Sequence, residues 1–300
     1  MRHRHIDTDN YVSSDKPAIS VIIRAYNAEG TIKDAIESIL KQSYDGFIEI
    51  VICYDKGSND RTYEIIKEYA ERVNRNFSNR KIVIVEHEHT TPFLALLEGF
   101  KKARGGLITV LDADNVFPRN YVEHVINYVI KTKTDKAFYY TNLVVTDEHL
   151  RPKTIINRGE VPFDKLLVRN LTDMNTMIIS SSCLKELIEF LEPLSKIRYF
   201  EFLYEDYLLS LLALKMCNAE HIPRVYVIYR EHGKNITGIT YKDPTRLLFS
   251  IERSIKTLIA FYYLAGRFLS IRQKIILFAS LTYRILLMLY TIIQIFLKQI

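Results

Sequence analysis

Asp112 and Asp114, one residue apart, close the stretch ITVLDADN over residues 108–115. Carboxylates at this spacing suit a hard divalent cation, which takes oxygen ligands and is often held by one or two carboxylates plus substrate phosphates. The same four letters recur as Asp7 to Asn10 in HIDTDN, residues 5–10. Context separates the two. Asp7 and Asp9 lie in a polar stretch with no core nearby and read as solvated tail residues. Two further acidic sites stand out: Asp55 in YDKGSND, and the adjacent pair Glu205 and Asp206 in YEDYLLSLLALK. A carboxylate within hydrogen-bond reach of a hydroxyl can act as a general base. The Glu205–Asp206 pair reads equally as the acidic first turn of a helix, where the dipole favours carboxylates.

Residues so far apart in sequence need a scaffold. Four runs, AISVIIRAY (18–26), FIEIVICY (47–54), KIVIVEHE (81–88) and GLITVLDAD (106–114), are almost continuously apolar. That is the pattern of strands buried on both faces of a parallel sheet. Helical stripes lie between them. AEGTIKDAIESILKQS places Ile32, Ala35, Ile36, Ile39 and Leu40 on one side, SNDRTYEIIKEYAERV opens with Ser58 as an expected N-cap, and TPFLALLEGFKKA is the third. Alternating strand and helix predict right-handed βαβ units, with ligands outside the carboxyl ends of the strands. Asp55 and Asp112 fall at such ends. If the fourth strand runs through Asp114, both aspartates point to one side. Beyond residue 115 a helix is expected near 118–133, a strand near 137–145, an irregular stretch, helices near 182–192 and 203–217, and a strand near 224–230. These form a mixed second half on the same sheet.

The 300-residue chain is 48% hydrophobic and 25% charged, enough for a sizeable core. Its net charge of +6 comes from scattered Lys and Arg with no basic run, so nucleic acid is not an expected partner. The three cysteines, Cys53, Cys183 and Cys217, form no Cys-x-x-Cys, and their odd number predicts no disulfide framework and a reducing, cytoplasmic-side location. Cys53 reads as a packed core thiol. Residues 1–16 read as a flexible polar tail without the apolar stretch of a signal peptide. The expected division is 17–115, whose strand ends converge as a nucleotide pocket is assembled in such sheets, and 116–243, a mixed second half of the same domain, followed by helices over 244–300.

Residues 275–297 contain one charge, Arg284, over a length that could span a bilayer. Yet Gln273, Ser280, Arg284, Thr291 and Lys298 fall on one narrow stripe at about 100° per residue. An interfacial helix keeps such a stripe in the headgroups with its apolar side in lipid. Packing against partner helices, as in a homo-oligomer, is a second reading and a true span a third.

Taken in order, SVIIRAYNAEG, EIVICYDKGSNDRT, GGLITVLDADNVFP, YEDYLLSLLALK and VYVIYREHGKNIT resemble the motif series of the family 2 glycosyltransferases. The resemblance implies a GT-A type α/β fold: a mostly parallel central sheet with helices on both faces, here extended by C-terminal amphipathic helices. It implies a nucleotide-diphosphate sugar as donor, a glycan or lipid-linked acceptor, and Mn²⁺ or Mg²⁺ as cofactor. Arg24, Ala25 and Tyr26 would border the nucleobase, and Asp55 would bond the base or ribose. Asp112 would contact the ribose or the metal, and Asp114 would bind the metal between the diphosphate oxygens. Arg230 and His232 would lie near the diphosphate, His232 as a further metal ligand. Asp206 would be the general base, with Glu205 beside it.

The chain departs from that pattern in places. Arg24 stands for the usual proline, Lys56 for the second aspartate of an Asp-Asp pair, and Leu96 for an arginine that would approach the nucleotide; Arg24 or Lys56 could supply that charge instead. The processive-polymerase motif with its Trp is absent, since the chain has no Trp. The expected function is therefore an inverting, metal-dependent sugar transfer at the cytoplasmic membrane face, with the protein peripheral there. The alternatives are a polyprenyl-phosphate sugar synthase, in which a phosphate attacks and needs no strong base, and a nucleotidyltransferase, which would usually carry a richer glycine loop than Gly30 alone.

Overall fold

The computed structural model describes residues 16–197, 203–232 and 244–299, with side chains to residue 295. Asp7 and Asp9 of the expected tail lie outside these residues, and the Lys298 side chain, at the end of the polar stripe, lies beyond the described side chains.

The first half follows the predicted rhythm: β1 (Ile19–Ala25), α1 (Ile32–Leu40), β2 (Ile48–Asp55), α2 (Thr62–Asn76), β3 (Arg80–His87), α3 (Pro92–Lys102) and β4 (Leu107–Val110). β1 is parallel to β2 and to β4, and β2 is parallel to β3. The second half adds α4 (Tyr121–Thr132), β5 (Ala137–Thr146), β6 (Pro152–Ile156), α5 (Phe163–Leu166), β7 (Met177–Ser180), α6 (Ser181–Leu191), α7 (Glu205–Met216) and β8 (Asn218–Arg230). The sheet order is β3-β2-β1-β4-β7-β5-β6, with β8 also on β5. The chain leaves β1 toward β2 on one side and returns to β4 on the other. This makes a topological switch point at the carboxyl ends of β1 and β4.

Alternation along the strands assigns the two faces. Val21, Ile23 and Ala25 pack with α1, α2 and α4, whereas Ile22 packs with α3, α6 and α7. Gly99 lets α3 approach closely, since a Cβ there would lie 2.7 Å from Ile22.

Four sequence expectations are corrected. β4 stops at Val110, not Asp114. Its neighbour β7 pairs only as far as Thr109↔Ile178, and the Asn175 side chain then accepts the Asp112 N–H at 2.6 Å. The Asn115 N–H turns back to the Asp112 carbonyl at 3.0 Å, so the two aspartates sit on a turn and diverge. Second, α2 starts at Thr62, whose N–H is accepted by Asp60, while Ser58 accepts the Asn27 N–H instead of capping the helix. Third, the irregular stretch hides β6 and β7. The first is a largely exposed edge strand, and the second has four residues whose identity as a strand depends on lying between β4 and β5. Fourth, Cys183 and Cys217 form a disulfide, with Cα atoms 5.9 Å apart. Their pairing follows from the meeting of the start of α6 with the end of α7, which spacing cannot register. Cys53 is a buried free thiol as expected, its pKa pushed up to about 12 by burial.

Two helices follow, α8 (Pro244–Ala265) and α9 (Ile271–Gln299), packed against each other. The α9 stripe faces opposite to the expectation of charges in headgroups. Ser280, Arg284 and Thr291 are buried, while Ile271, Ile275, Tyr283, Leu286, Leu289, Tyr290 and Ile293 are exposed. Arg284 donates to the Val168 carbonyl at 2.7 Å, and Gln273 accepts from Lys215 on α7 at 3.2 Å. The polar side packs on Val168 and on α7, and the apolar side is exposed among the described residues.

Candidate active site

The loops after β1 and β2 are stitched together. Asn27 accepts the Asn59 N–H, Asp60 accepts that of Glu29, Glu29 accepts that of Arg61, and Thr62 accepts that of Ala28 at 2.7 Å. Asn27 takes a positive φ of 47°, a conformation asparagine tolerates in turns. This lattice fixes Tyr26 and Asp55. Asp55 is buried and accepts the Gly57 N–H at 2.8 Å, and its other oxygen lies 3.0 Å from His89 Nδ1. The His89 ring packs on Tyr26 with centroids 5.1 Å apart. Tyr26 is half exposed and offers a flat face beside a carboxylate and an imidazole, a geometry suited to a planar base. Sequence reasoning missed His89, whose only signal was its place just after the third strand. Ala25 faces the core with α1, so its side chain does not border this surface. Lys56 turns outward to Glu88, and Leu96 is buried.

Arg24 shares the face of Ile22 and so points toward α7. It donates to Asp112 Oδ1 from Nη2 at 2.5 Å and from Nε at 3.0 Å, and to Glu205 Oε1 from Nη1 at 2.5 Å. Burial opposes its charge, and the two carboxylates more than offset that. Of Arg24 and Lys56, it is Arg24 that reaches the cleft. Asn175, also unforeseen, donates to the other Asp112 oxygen at 3.0 Å. Glu205 meets Arg253 on its second oxygen at 3.4 Å. With both oxygens on guanidinium groups, Glu205 braces the cleft.

Asp206 is different. It accepts from Asn170 Nδ2 at 2.9 Å and from the Tyr207 N–H at 2.8 Å. Burial, then Glu205, then Asp173 push its pKa up to about 7. A carboxylate with that affinity is half ionised near neutrality and is well matched to general-base work.

Asp114 faces His232, with Oδ2 3.0 Å from Nε2, and its buried Oδ1 has no hydrogen-bond partner. Burial and the neighbouring Asp112 raise its pKa. Among the described residues no group of three or more His, Cys, Asp or Glu side chains is placed to hold a metal ion. An orphaned carboxylate oxygen beside an imidazole nevertheless fits a hard cation whose remaining ligands are phosphate oxygens. Arg230 turns to Asp34 on α1 at 2.7 Å, while its N–H is accepted by Asn115 of the same turn at 2.9 Å.

The model of glycosyl transferase family 2 matches residues 20–185, more than half of the chain. The Escherichia coli enzyme WfgD, a UDP-Glc:alpha-D-GlcNAc-diphosphoundecaprenol beta-1,3-glucosyltransferase, is 26% identical over 77% of this chain and 84% of its own. WfaP of the same organism and described activity is 25% identical over 76% and 83%. Among solved structures, Staphylococcus aureus TarS with UDP-GlcNAc superposes with a TM-score of 0.59 at 17% identity, over 89% of this chain and 72% of that one. The Pyrobaculum calidifontis mannosyltransferase PcManGT, with GDP-Man and Mn²⁺, gives 0.53 at 17% identity, over 90% and 74%. At such identities the structures speak for the fold alone.

Proposed function

The chain belongs to glycosyl transferase family 2 and is a glycosyltransferase of GT-A fold, and we propose that it moves a sugar, with inversion, from a nucleotide-diphosphate sugar to a hydroxyl of a lipid-linked or other glycan acceptor. The observation that carries this reading is Asp206. It is a carboxylate tuned to about 7, next to Glu205, which Arg24 ties to the Asp112 turn.

Tyr26, His89 and Asp55 bind the nucleobase and ribose. Asp112, held by Arg24 and Asn175, orients the donor. Asp206 takes the proton of the acceptor hydroxyl as that oxygen bonds the anomeric carbon. The bond from that carbon to the diphosphate breaks on the opposite face, and the nucleoside diphosphate leaves with the electron pair. Single displacement of this kind inverts the anomeric centre. Asp114 and His232, with Asp112 nearby, would hold Mn²⁺ or Mg²⁺, which supplies neutralisation of the charge that develops on a leaving diphosphate.

The bare apolar side of α9 favours a lipid-linked acceptor over a soluble one, because a monomer in water rarely exposes so long an apolar strip. The protein then lies on the cytoplasmic membrane face, where nucleotide sugars are available. The undecaprenol-linked acceptors of WfgD and WfaP agree with this class. The Cys183–Cys217 bridge does not point to a reducing compartment, so the location rests on donor and lipid.

The test is a thermal-shift panel of nucleoside diphosphates and nucleotide sugars with and without Mn²⁺, followed by NMR of the product anomer. No stabilisation by any donor, or a product with retained configuration, would sink the reading. Full turnover in Asp206→Asn would favour attack by a lipid phosphate, which needs no base.

A further inference from the structure

Arg284 is a buried cation on α9, far in sequence from the site, and the sugar-transfer chemistry does not use it directly. Its Nη2 donates to the Val168 carbonyl at 2.7 Å, and its Nη1 donates to Ser280 one turn earlier. Ser280 also donates to the Val168 carbonyl at 3.4 Å. Two residues beyond Val168 stands Asn170, whose Nδ2 donates to Asp206 Oδ2. The Asn170 amide cannot flip without loss, because its Oδ1 accepts both the N–H and the hydroxyl of Thr172 at 3.1 and 3.0 Å. On the near side, the Tyr207 hydroxyl donates to the Leu166 carbonyl at 2.7 Å and feels the Arg284 charge. The segment 166–172 is therefore held at one end by α9 and presents its amide to the carboxylate at the other.

We propose that Arg284 is a positioning residue for Asp206: by holding the Val168 carbonyl it sets the segment that delivers the Asn170 amide to the carboxylate. The apolar helix is thereby wired to the acceptor side of the cleft. Removing an amide donor from an ionised carboxylate disfavours the charged form and raises its proton affinity. The other groups that bear on Asp206 are Glu205 and Tyr207 on α7, Asp173 before β7 and Arg158 after β6. None of these bonds the Val168 carbonyl.

The proposal rests on Asp206 being the base, but its test does not need a substrate. In the full chain in detergent micelles, labelled at aspartate carboxyl carbons, the Asp206 resonance is identified by its loss in Asp206→Asn and followed with pH. Asn170→Ala should raise the midpoint by about one unit, a tenfold gain in proton affinity. Arg284→Gln should raise it similarly, and the double variant should shift no further than Asn170→Ala alone. Arg284→Lys, which keeps a donor, should fall between wild type and Arg284→Gln, and it serves as the probe if Arg284→Gln does not fold. A folded Arg284 variant with an unmoved midpoint, or shifts that add in the double variant, would overturn the link. The second result would mean that Arg284 acts only through space. Wild-type turnover in Asp206→Asn would instead remove the base assignment and leave the titration link standing.

Discussion

Arg24 Nη1 lies 2.5 Å from Glu205 Oε1, joining the end of β1 to the first turn of α7 across 181 positions. The same guanidinium grips Asp112, so one side chain ties the turn after β4 to the first turn of α7. Removing it leaves two carboxylates facing each other in a mostly buried cleft. Arg24→Ala should cost about 2 to 3 kcal/mol in urea unfolding, less than a fully buried pair because Asp112 is partly wet. Adding Asp112→Asn should recover part of that loss.

Asp206→Asn should lower turnover on the order of 10² to 10⁴-fold with little change in donor KM. In the wild type, kcat should rise with pH through an apparent pKa near 7, the value to which burial and Glu205 push this carboxyl.

The same shift has a stability signature. The folded-state pKa of about 7 lies above the unfolded value of about 3.9, so the native state holds a proton that the unfolded chain has lost between them. Stability from this group is fully present below pH 4 and falls as pH rises to 7. Asp206→Asn should therefore raise Tm at pH 8, with the gain shrinking toward pH 4 in calorimetric scans.

Asp114→Ala should abolish any stabilisation by nucleoside diphosphate that requires Mn²⁺, because it removes the orphaned buried oxygen of the turn. A metal-dependent shift that survives this change would place the cation elsewhere. His89→Ala should weaken nucleotide binding about five- to tenfold by calorimetry, since it strips one ring from the Tyr26 pair and a partner from Asp55.

Leu286→Glu with Leu289→Glu adds charges on the exposed side of α9, where these residues are 60% and 52% exposed. Binding to liposomes should be lost in sedimentation assays, with unfolding free energy changed by no more than about 0.5 kcal/mol per site. Retained binding would argue that the apolar side meets protein rather than lipid.

Much of the scaffold was legible because continuous β-branched runs have few alternatives to a two-face-buried parallel sheet. β1 to β3 and α1 to α4 emerge close to where periodicity places them. Asp55, Asp112 and Asp114 were legible too, since they end or follow strands whose ends converge, while Glu205 and Asp206 open a helix. Less legible were the partners that give those carboxylates their character. Asn170 and His89 sit in loops and Asn175 in a single 3₁₀ turn, none with a period to read, and what they touch is set by where distant segments meet.

The sequence by itself determined the apolar runs, the alternation that builds βαβ units, the acidic residues at strand ends and the polar stripe of α9. These are local properties, carried by spacing along one element. Tertiary structure alone decided that β4 ends before Asp112, that Arg24 spends its charge on Asp112 and Glu205, and that Cys183 meets Cys217. It also decided that the α9 stripe turns inward to Val168, leaving the apolar side out. A helical period shows that two faces differ, but which face meets protein depends on the hydrogen-bond acceptors a distant segment offers.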